Sequence, residues 1–376
     1  MPDKSVVEHD WPIEGQSMQR RRYCPVDFPP PLKLAWRSSE SRSQLTGNEV
    51  TGADGTIVIA TTTGRVEGLG YGGTKRWEWR PKRGAKAMAP SSSACLTAGK
   101  VYVPRGSCLQ VFNATNGDFL WEVPNNEGRD VSDRLPRLDE SDFGKGIIAR
   151  ASDGSVITAS QRGIFRRIGP TPGTVSFACD PTALTNTCIG LGDHIIGLFR
   201  PLDGGEKTPY AINIHSGERT TVDRDIKFVS VLAGGMAYGS TGRALKAWSY
   251  PGWEPQWEVG FPKYDNCYQL ASDGQHVYSL RDASISRHSL EDGHEEWSLT
   301  HDEVCYGKQA MLVTPSFVYT IYGSGHTQIQ VLDKATGKEA WTSRDIRLPD
   351  WVRSLSAIGG RIFILEEKAI ACFESE

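Results

Sequence analysis

Polar and basic residues recur along the chain at a fixed place relative to a repeated pattern. Each lies six to nine residues before the start of an alternating apolar run. The basic members are Lys145, Lys227, Lys308 and Arg353, and the others are Asn48, Glu49, Asn186, Asn266 and Tyr268. If the four cations converge, they would favour a carboxylate, phosphate or enolate-like ligand. Tyr268 and Glu49 are the candidate catalytic proton-transfer groups.

The elements that must position these residues are repeats of about 40 residues. Their apolar runs begin at residues 55, 99, 154, 192, 235, 274, 315 and 360. Each repeat has an alternating run, a short turn, a second run and a turn that usually contains glycine, and most end in tryptophan. The clearest copies are 99–121, 274–297 and 315–341. This period is typical of a four-stranded propeller blade, and the alternation predicts strands rather than helices.

The eighth repeat stops before its tryptophan, and residues 31–37 near the N-terminus have the form of the missing strand. The sequence therefore predicts an all-β fold, an eight-bladed β-propeller of four-stranded blades closed by an N-terminal strand. Residues 31–37 should pair beside 368–374, because an open ring would leave strand edges free. Seven blades would result if the faint third copy or the fourth copy without tryptophan were not a blade. We expect an N-terminal arm at 1–30 and a single propeller domain at 31–376.

In such a ring the innermost strand of each blade lines a central channel, and the nine polar residues fall on these strands. A functional anion site in this funnel is one interpretation. The other is that strand-end lysines and arginines are solvated at the channel mouth, with Glu49 neutralising one of them. A register shift of one residue would also turn the side chains away from the axis.

Composition excludes several classes of protein. The 42 basic and 45 acidic residues give a net charge of −3, so no overall positive field is available to hold a nucleic acid. No stretch approaches 18 apolar residues, and the N-terminus lacks the apolar run of a secretory signal. The eight cysteines include no CxxC pair, which favours reduced thiols and no metal site. We expect a cytoplasmic monomer that binds neither nucleic acid nor membranes.

The repeat resembles that of the pyrroloquinoline-quinone-type β-propellers, most closely at residues 99–121 and 315–341. The opening, Asp10-Trp11-Pro12 followed by 29–36, is also similar to bacterial members of that family. The resemblance implies that the repeat tryptophans dock between adjacent blades; these are Trp36, Trp77, Trp121, Trp257, Trp297 and Trp341. Quinone-dependent members carry two adjacent cysteines that stack on the cofactor. No two cysteines are adjacent here, so we expect no quinone and no other cofactor.

Two functional classes follow from the sequence. The first is a propeller that binds a protein partner or a small anionic ligand through its central funnel. The second is a cofactor-independent enzyme, a lyase, isomerase or cyclase, with its active site in the funnel. The absence of a nucleophile with a recognisable base places the binding class first. The charged segment 125–142 is either a solvated flap or a lid over the funnel.

Overall fold

The computed structural model describes most of the chain from residue 21 onward. The described residues are 21–38, 45, 50–81, 93–105, 108–124, 146–150, 153–159, 165–172, 175–176, 183–200, 206, 208–223, 225, 229–241, 243–262, 265–301, 310–323, 327–344, 346, 348–349 and 352–376. None of these residues belongs to a helix long and apolar enough to span a membrane.

The described residues contain 32 β-strands. The first half of the chain holds β1 (Leu32–Arg37), β2 (Thr51–Ala53), β3 (Thr56–Ala60), β4 (Val66–Gly70), β5 (Lys75–Trp79), β6 (Cys95–Thr97), β7 (Lys100–Arg105), β8 (Cys108–Asn113), β9 (Phe119–Pro124), β10 (Gly146–Arg150), β11 (Val156–Ala159), β12 (Phe165–Ile168), β13 (Val175–Ser176), β14 (Ala183–Leu191), β15 (His194–Arg200) and β16 (Thr208–Asn213). The second half holds β17 (Arg219–Thr221), β18 (Val229–Ala233), β19 (Met236–Ser240), β20 (Ala244–Ser249), β21 (Pro255–Gly260), β22 (Cys267–Ser272), β23 (His276–Arg281), β24 (Ser284–Ser289), β25 (Glu295–Thr300), β26 (Ala310–Val313), β27 (Phe317–Tyr322), β28 (Gln328–Asp333), β29 (Glu339–Thr342), β30 (Val352–Ile358), β31 (Arg361–Glu366) and β32 (Ile370–Ser375).

These strands form four-stranded antiparallel sheets arranged in a ring. Blades 1 to 7 are each built from four consecutive strands, from β2–β5 in blade 1 to β26–β29 in blade 7. The described chain therefore has seven blades whose four strands are consecutive in the sequence, which corrects the predicted count of eight. The remaining four-stranded sheet is a composite of β30, β31 and β32 with β1. The first strand of each sheet contacts the first strand of the next, from β2 through β30 and back to β2.

The composite sheet joins the two ends of the described chain. Strand β1 pairs antiparallel with β32, from Leu32 opposite Ser375 to Arg37 opposite Ala371. Residues 21–31 lead into β1 along the ends of innermost strands: Tyr23 forms a parallel bridge with Val313 at the end of β26. An N-terminal strand therefore closes the ring, as the repeat pattern indicated.

The repeat tryptophans lie between blades. The indole Nε1 of Trp77 donates a hydrogen bond to Ala114 O of the next blade at 2.9 Å. Its ring lies so close to Gly117 that an added Cβ would come within 2.5 Å of it. Gly117 also has φ 76°, which disfavours any residue with a side chain. Equivalent bonds to backbone carbonyls are made by Trp36, Trp257 and Trp297. The docking role is thus confirmed for four of the six tryptophans.

His288 in β24 is buried within blade 6, and this burial predicts a pH dependence. Its Nε2 lies 2.9 Å from Ser279 Oγ, and its Nδ1 lies 3.2 Å from Gly293 O. Burial lowers the pKa of His288 from 6.5 to about 4. Between pH 6.5 and 4 the unfolded state therefore binds a proton at His288 more readily than the folded state does. The free energy of unfolding is highest above pH 6.5 in this respect and decreases as the pH falls towards 4.

We expect His288→Gln to reduce the loss of stability between pH 6.5 and 4 by about 3 kcal/mol, the equivalent of that pKa difference. Urea denaturation of wild type and variant at half-unit pH steps measures the difference. His294→Gln serves as the control, because the His294 ring is exposed and its variant should keep most of the wild-type pH dependence. Identical pH profiles for His288→Gln and wild type would contradict the expectation.

Candidate functional site

The predicted funnel residues are only partly described. Five of them, Asn48, Glu49, Lys145, Lys227 and Lys308, lie outside the described residues. Asn186 and Tyr268 belong to β14 and β22, but their side chains lie outside what the structure describes. The side chains of Asn266 and Arg353 are described. The predicted convergence of cations in the funnel therefore stays a prediction.

The two described funnel residues make contacts within the protein. Asn266 donates from Nδ2 to Asp282 Oδ2 at 2.9 Å, at the start of the innermost strand of blade 6. Arg353 lies at the start of β30 and donates from Nη1 to Leu45 O at 3.0 Å. The two residues belong to different sheets. Asn266 links the start of β22 to the turn after β23, and Arg353 links β30 to the segment at Leu45.

A different repeat position carries the most deeply buried arginines of the described residues. Arg105 and Arg281 are the last residues of β7 and β23, the second strands of blades 2 and 6. Both are 4% exposed. Each guanidinium lies over an aromatic ring at the end of the preceding blade's outer strand. The distance from Arg105 to the Trp79 ring centre is 5.0 Å, and that from Arg281 to the Phe261 ring centre is 4.9 Å.

The two arginines differ in their charged partners. Arg281 forms ion pairs with Asp265 at 3.2 Å and with Glu295 at 3.1 Å. Arg105 donates to Gly64 O, but no carboxylate of the described residues lies within 4.0 Å of it, and its Nε has no hydrogen-bond partner. Burial lowers the pKa of Arg105. Among the residues that the structure describes, blade 2 thus holds a buried cation with no carboxylate in contact.

The outer strand of blade 2 also departs from the other repeats. In the six described outer strands with a repeat tryptophan, the two residues before it are exposed. In the other five strands these pairs are Leu34-Ala35, Lys75-Arg76, Pro255-Gln256, Glu295-Glu296 and Glu339-Ala340. Four of the five contain a charged or polar residue, and the fifth has one large apolar residue, Leu34, which is 41% exposed. Blade 2 instead has Phe119 and Leu120, which are 46% and 41% exposed. Exposed apolar patches are typical of binding surfaces.

These features form one surface between blades 1 and 2. The ring centres of Trp79 and Phe119 are 6.5 Å apart with 25° between their planes, and Phe112 packs against both rings. Trp79 in turn lies under the Arg105 guanidinium. We call Trp79, Arg105, Phe119 and Leu120 the aromatic seam. It contains no nucleophile or general base, so its chemistry is that of binding.

Sequence reasoning missed the aromatic seam, although one signal for it was available. Aligning the repeats on their tryptophans places Phe119 and Leu120 at a pair of positions where most other copies carry at least one charged or polar residue. The burial of Arg105 could not be obtained in the same way, since the stacking partner Trp79 comes from the preceding repeat.

Comparison with known proteins shows the fold. No protein-family model matches the chain, and no curated protein sequence matches it. Among solved structures it is similar to BamB from Moraxella catarrhalis, with TM-score 0.62, 13% identity and coverage of 92% of this chain and 98% of that one. A quinohemoprotein alcohol dehydrogenase from Comamonas testosteroni gives TM-score 0.70, 12% identity and coverage of 99% and 81%. The C-terminal WD40 domain of Sif2 gives TM-score 0.65, 12% identity and coverage of 93% of this chain and 100% of that one. These proteins share the β-propeller architecture with this chain.

Proposed function

We propose that this chain is a protein-binding β-propeller and that the aromatic seam is a docking surface for its partner. The exposure of Phe119 and Leu120 carries the proposal, because this is the one pair with two large apolar side chains among the described outer strands that carry a repeat tryptophan. Aromatic residues and arginine are enriched at the centres of protein interfaces, and the seam combines both. The fold, shared with BamB and a WD40 domain, is consistent with protein binding.

The structure of the seam also supports a rigid docking site. Phe119 is held by edge contacts with Phe112, 5.9 Å between ring centres, and Phe112 is fully buried in blade 2. Leu120 is the next residue of the strand and lies at the bulge between the pairs made by Phe119 and Trp121. An ordered apolar surface loses little side-chain entropy on binding, which raises the affinity that a given contact area provides.

Replacing the apolar pair tests the proposal. We expect the double variant Phe119→Glu, Leu120→Glu to fold normally, since both side chains are exposed, and to bind the partner at least tenfold more weakly. Proteins captured from the native cell extract by immobilised wild type would be identified, purified and titrated against both forms. Gln256→Glu is the matched control, because Gln256 directly precedes its repeat tryptophan, as Leu120 does. An unchanged dissociation constant for the double variant would contradict the assignment of the surface.

Binding of an anion in the central funnel, or catalysis there, remains the alternative from the sequence. Seven of its nine candidate side chains lie outside those the structure describes, and the two described ones bond within the protein. No described contact favours this alternative over the aromatic seam.

A further inference from the structure

We propose that the aromatic seam recognises a peptide segment of the partner in which a carboxylate lies beside a large apolar side chain, with the carboxylate bound at Arg105. This inference rests on the proposed function and names the chemistry of the partner. It follows from the comparison of blade 2 with blade 6, which hold the same arginine in the same place but neutralise it differently.

The strand pairing establishes that Phe119 replaces Glu295. In blade 6, Arg287 lies opposite Trp297 and His288 lies opposite Glu295, with a bulge between the two pairs. In blade 2, Val111 lies opposite Trp121 and Phe112 lies opposite Phe119, with the same bulge. Phe119 therefore occupies the place from which Glu295 reaches Arg281. The substitution that exposes an apolar side chain also removes the carboxylate that would neutralise Arg105.

A carboxylate can reach a guanidinium as deeply buried as that of Arg105. Glu295 has a side chain that is 41% exposed, yet its Oε2 lies 3.1 Å from Arg281, which is 4% exposed. The approach to Arg281 is thus from the surface of the propeller. At Arg105 the corresponding place holds Phe119, so a partner's carboxylate would approach from the same surface, beside the Phe119 ring.

The carboxylate that remains near Arg105 has another bond. Glu122 accepts a hydrogen bond from Gln110 Nε2 at 2.9 Å and forms no ion pair with Arg105 within 4.0 Å. Its charge acts on Arg105 from a greater distance and only partly offsets the effect of burial, which still lowers the pKa of Arg105. A buried cation without a paired carboxylate is costly, and a ligand that supplies the negative charge recovers that cost on binding. Guanidinium groups also bind carboxylates with two parallel hydrogen bonds, which gives directional specificity.

The neighbouring apolar pair distinguishes a peptide from a free anion. A small inorganic anion would use Arg105 alone and would gain nothing from Phe119 and Leu120. A peptide with an acidic residue next to a phenylalanine, tryptophan or leucine satisfies both features at once.

Selection from a random twelve-residue peptide library on the immobilised full chain tests the inference. We expect the selected peptides to be enriched at least fivefold over the input library in Asp or Glu within two residues of a large apolar residue. A selected peptide and its Asn or Gln analogue are then titrated against the wild type, and the analogue should bind at least tenfold more weakly. Inorganic phosphate should not compete at millimolar concentration.

Two variants assign the carboxylate to Arg105. Arg105→Gln should lose the tenfold preference for the acidic peptide. Phe119→Glu keeps Arg105 and restores the carboxylate found in blade 6, so it should lose peptide binding while its melting temperature stays equal to or above that of wild type. This second variant keeps the test decisive if Arg105→Gln fails to fold. Gln256→Glu is the control and should bind like wild type.

The outcomes separate this inference from the proposed function. Apolar peptides without an acidic preference, or equal binding of the acidic peptide and its amide analogue, would overturn the role of Arg105 and leave the docking surface intact. Enrichment of no peptide over an empty support would also overturn the inference, whereas the docking surface is judged by titration of the captured folded partner.

Discussion

A chain that begins at residue 38, and so lacks β1, is expected to lose cooperative folding and to aggregate or associate. Strand β1 covers the edge of β32 along its length. Without it, the backbone of β32 becomes an unpaired edge whose side chains, among them Phe373 and Cys372, are fully buried in the intact protein. Exposed, apolar strand edges are templates for pairing with other chains.

The aromatic contacts of β1 add to this effect. The ring centre of Trp36 lies 5.9 Å from that of Phe363, and its Nε1 donates to Tyr71 O of blade 1 at 3.0 Å. Loss of a tryptophan packed in this way costs about 3–5 kcal/mol, before the lost strand pairing is counted. Urea denaturation followed by tryptophan fluorescence, together with light scattering, measures both consequences.

A chain that begins at residue 21 is the control for the truncation. It keeps all described contacts of β1 and should unfold cooperatively at close to the wild-type urea concentration. Addition of a synthetic peptide of residues 21–38 to the shorter chain during refolding should restore a soluble monomer. A soluble, cooperatively unfolding monomer of the chain that begins at residue 38, without the peptide, would show that β1 is dispensable for closure.

The closure and the docked tryptophans could be predicted because they depend on local patterns that repeat. The alternation of apolar residues fixes strands, the glycine turns fix hairpins, and each tryptophan sits at a set distance from its turn. Gly117 illustrates this, since its positive φ and its contact with Trp77 follow from one short motif. A repeat that lacks its last strand also indicates where the other end of the chain must go.

The funnel could not be predicted to the same depth, because several innermost strands begin with irregular pairing. The register shifts between Val352 and Ser354 and between Cys267 and Gln269. Arg353 and Tyr268 are the residues between these pairs. A bulge moves side chains out of strict alternation, so counting by twos along the sequence does not determine which of them faces the channel.

The aromatic seam depends on contacts between repeats. Whether Arg105 is neutralised depends on the residue two positions before Trp121 in the outer strand, and its ring partner comes from the blade before. Each repeat taken alone shows an arginine at the end of a strand, which is commonly solvated. Only the comparison of Arg105 with Arg281 in the folded ring separates a paired cation from an unpaired one.

Asp273→Ala is expected to destabilise the protein by about 3–5 kcal/mol, the usual cost of breaking a buried ion pair. Asp273 lies in the turn between β22 and β23, and its side chain is 3% exposed. Its Oδ2 accepts hydrogen bonds from Lys334 Nζ of blade 7 at 3.0 Å and from the Tyr278 hydroxyl at 2.9 Å. The variant leaves an ammonium group and a hydroxyl without their partner at the junction of two blades.

The pKa of Asp273 supports this expectation and gives the direction in which the effect changes with pH. Burial alone would raise the pKa of this carboxyl, but hydrogen bonds from the Gln275 N–H and from Lys334 lower it to about 2. A carboxyl with a lowered pKa in the folded state stabilises that state above the unfolded pKa of about 4. This stabilisation is lost as the pH falls towards 2. The difference between wild type and Asp273→Ala should therefore be largest near neutral pH and shrink below pH 4.

Asp292→Ala is the matched control, because the two aspartates have similar pKa values and opposite exposure. A hydrogen bond from His294 lowers the pKa of Asp292 to about 2, yet its side chain is 63% exposed in the turn between β24 and β25. Solvent screens its interaction with His294, so Asp292→Ala should unfold at nearly the wild-type urea concentration. Equal destabilisation by the two substitutions would mean that the junction between blades 6 and 7 does not depend on the buried carboxylate. Little effect of either would lead to the same conclusion, and the stability of the ring would then reside in its tryptophan contacts and strand pairing.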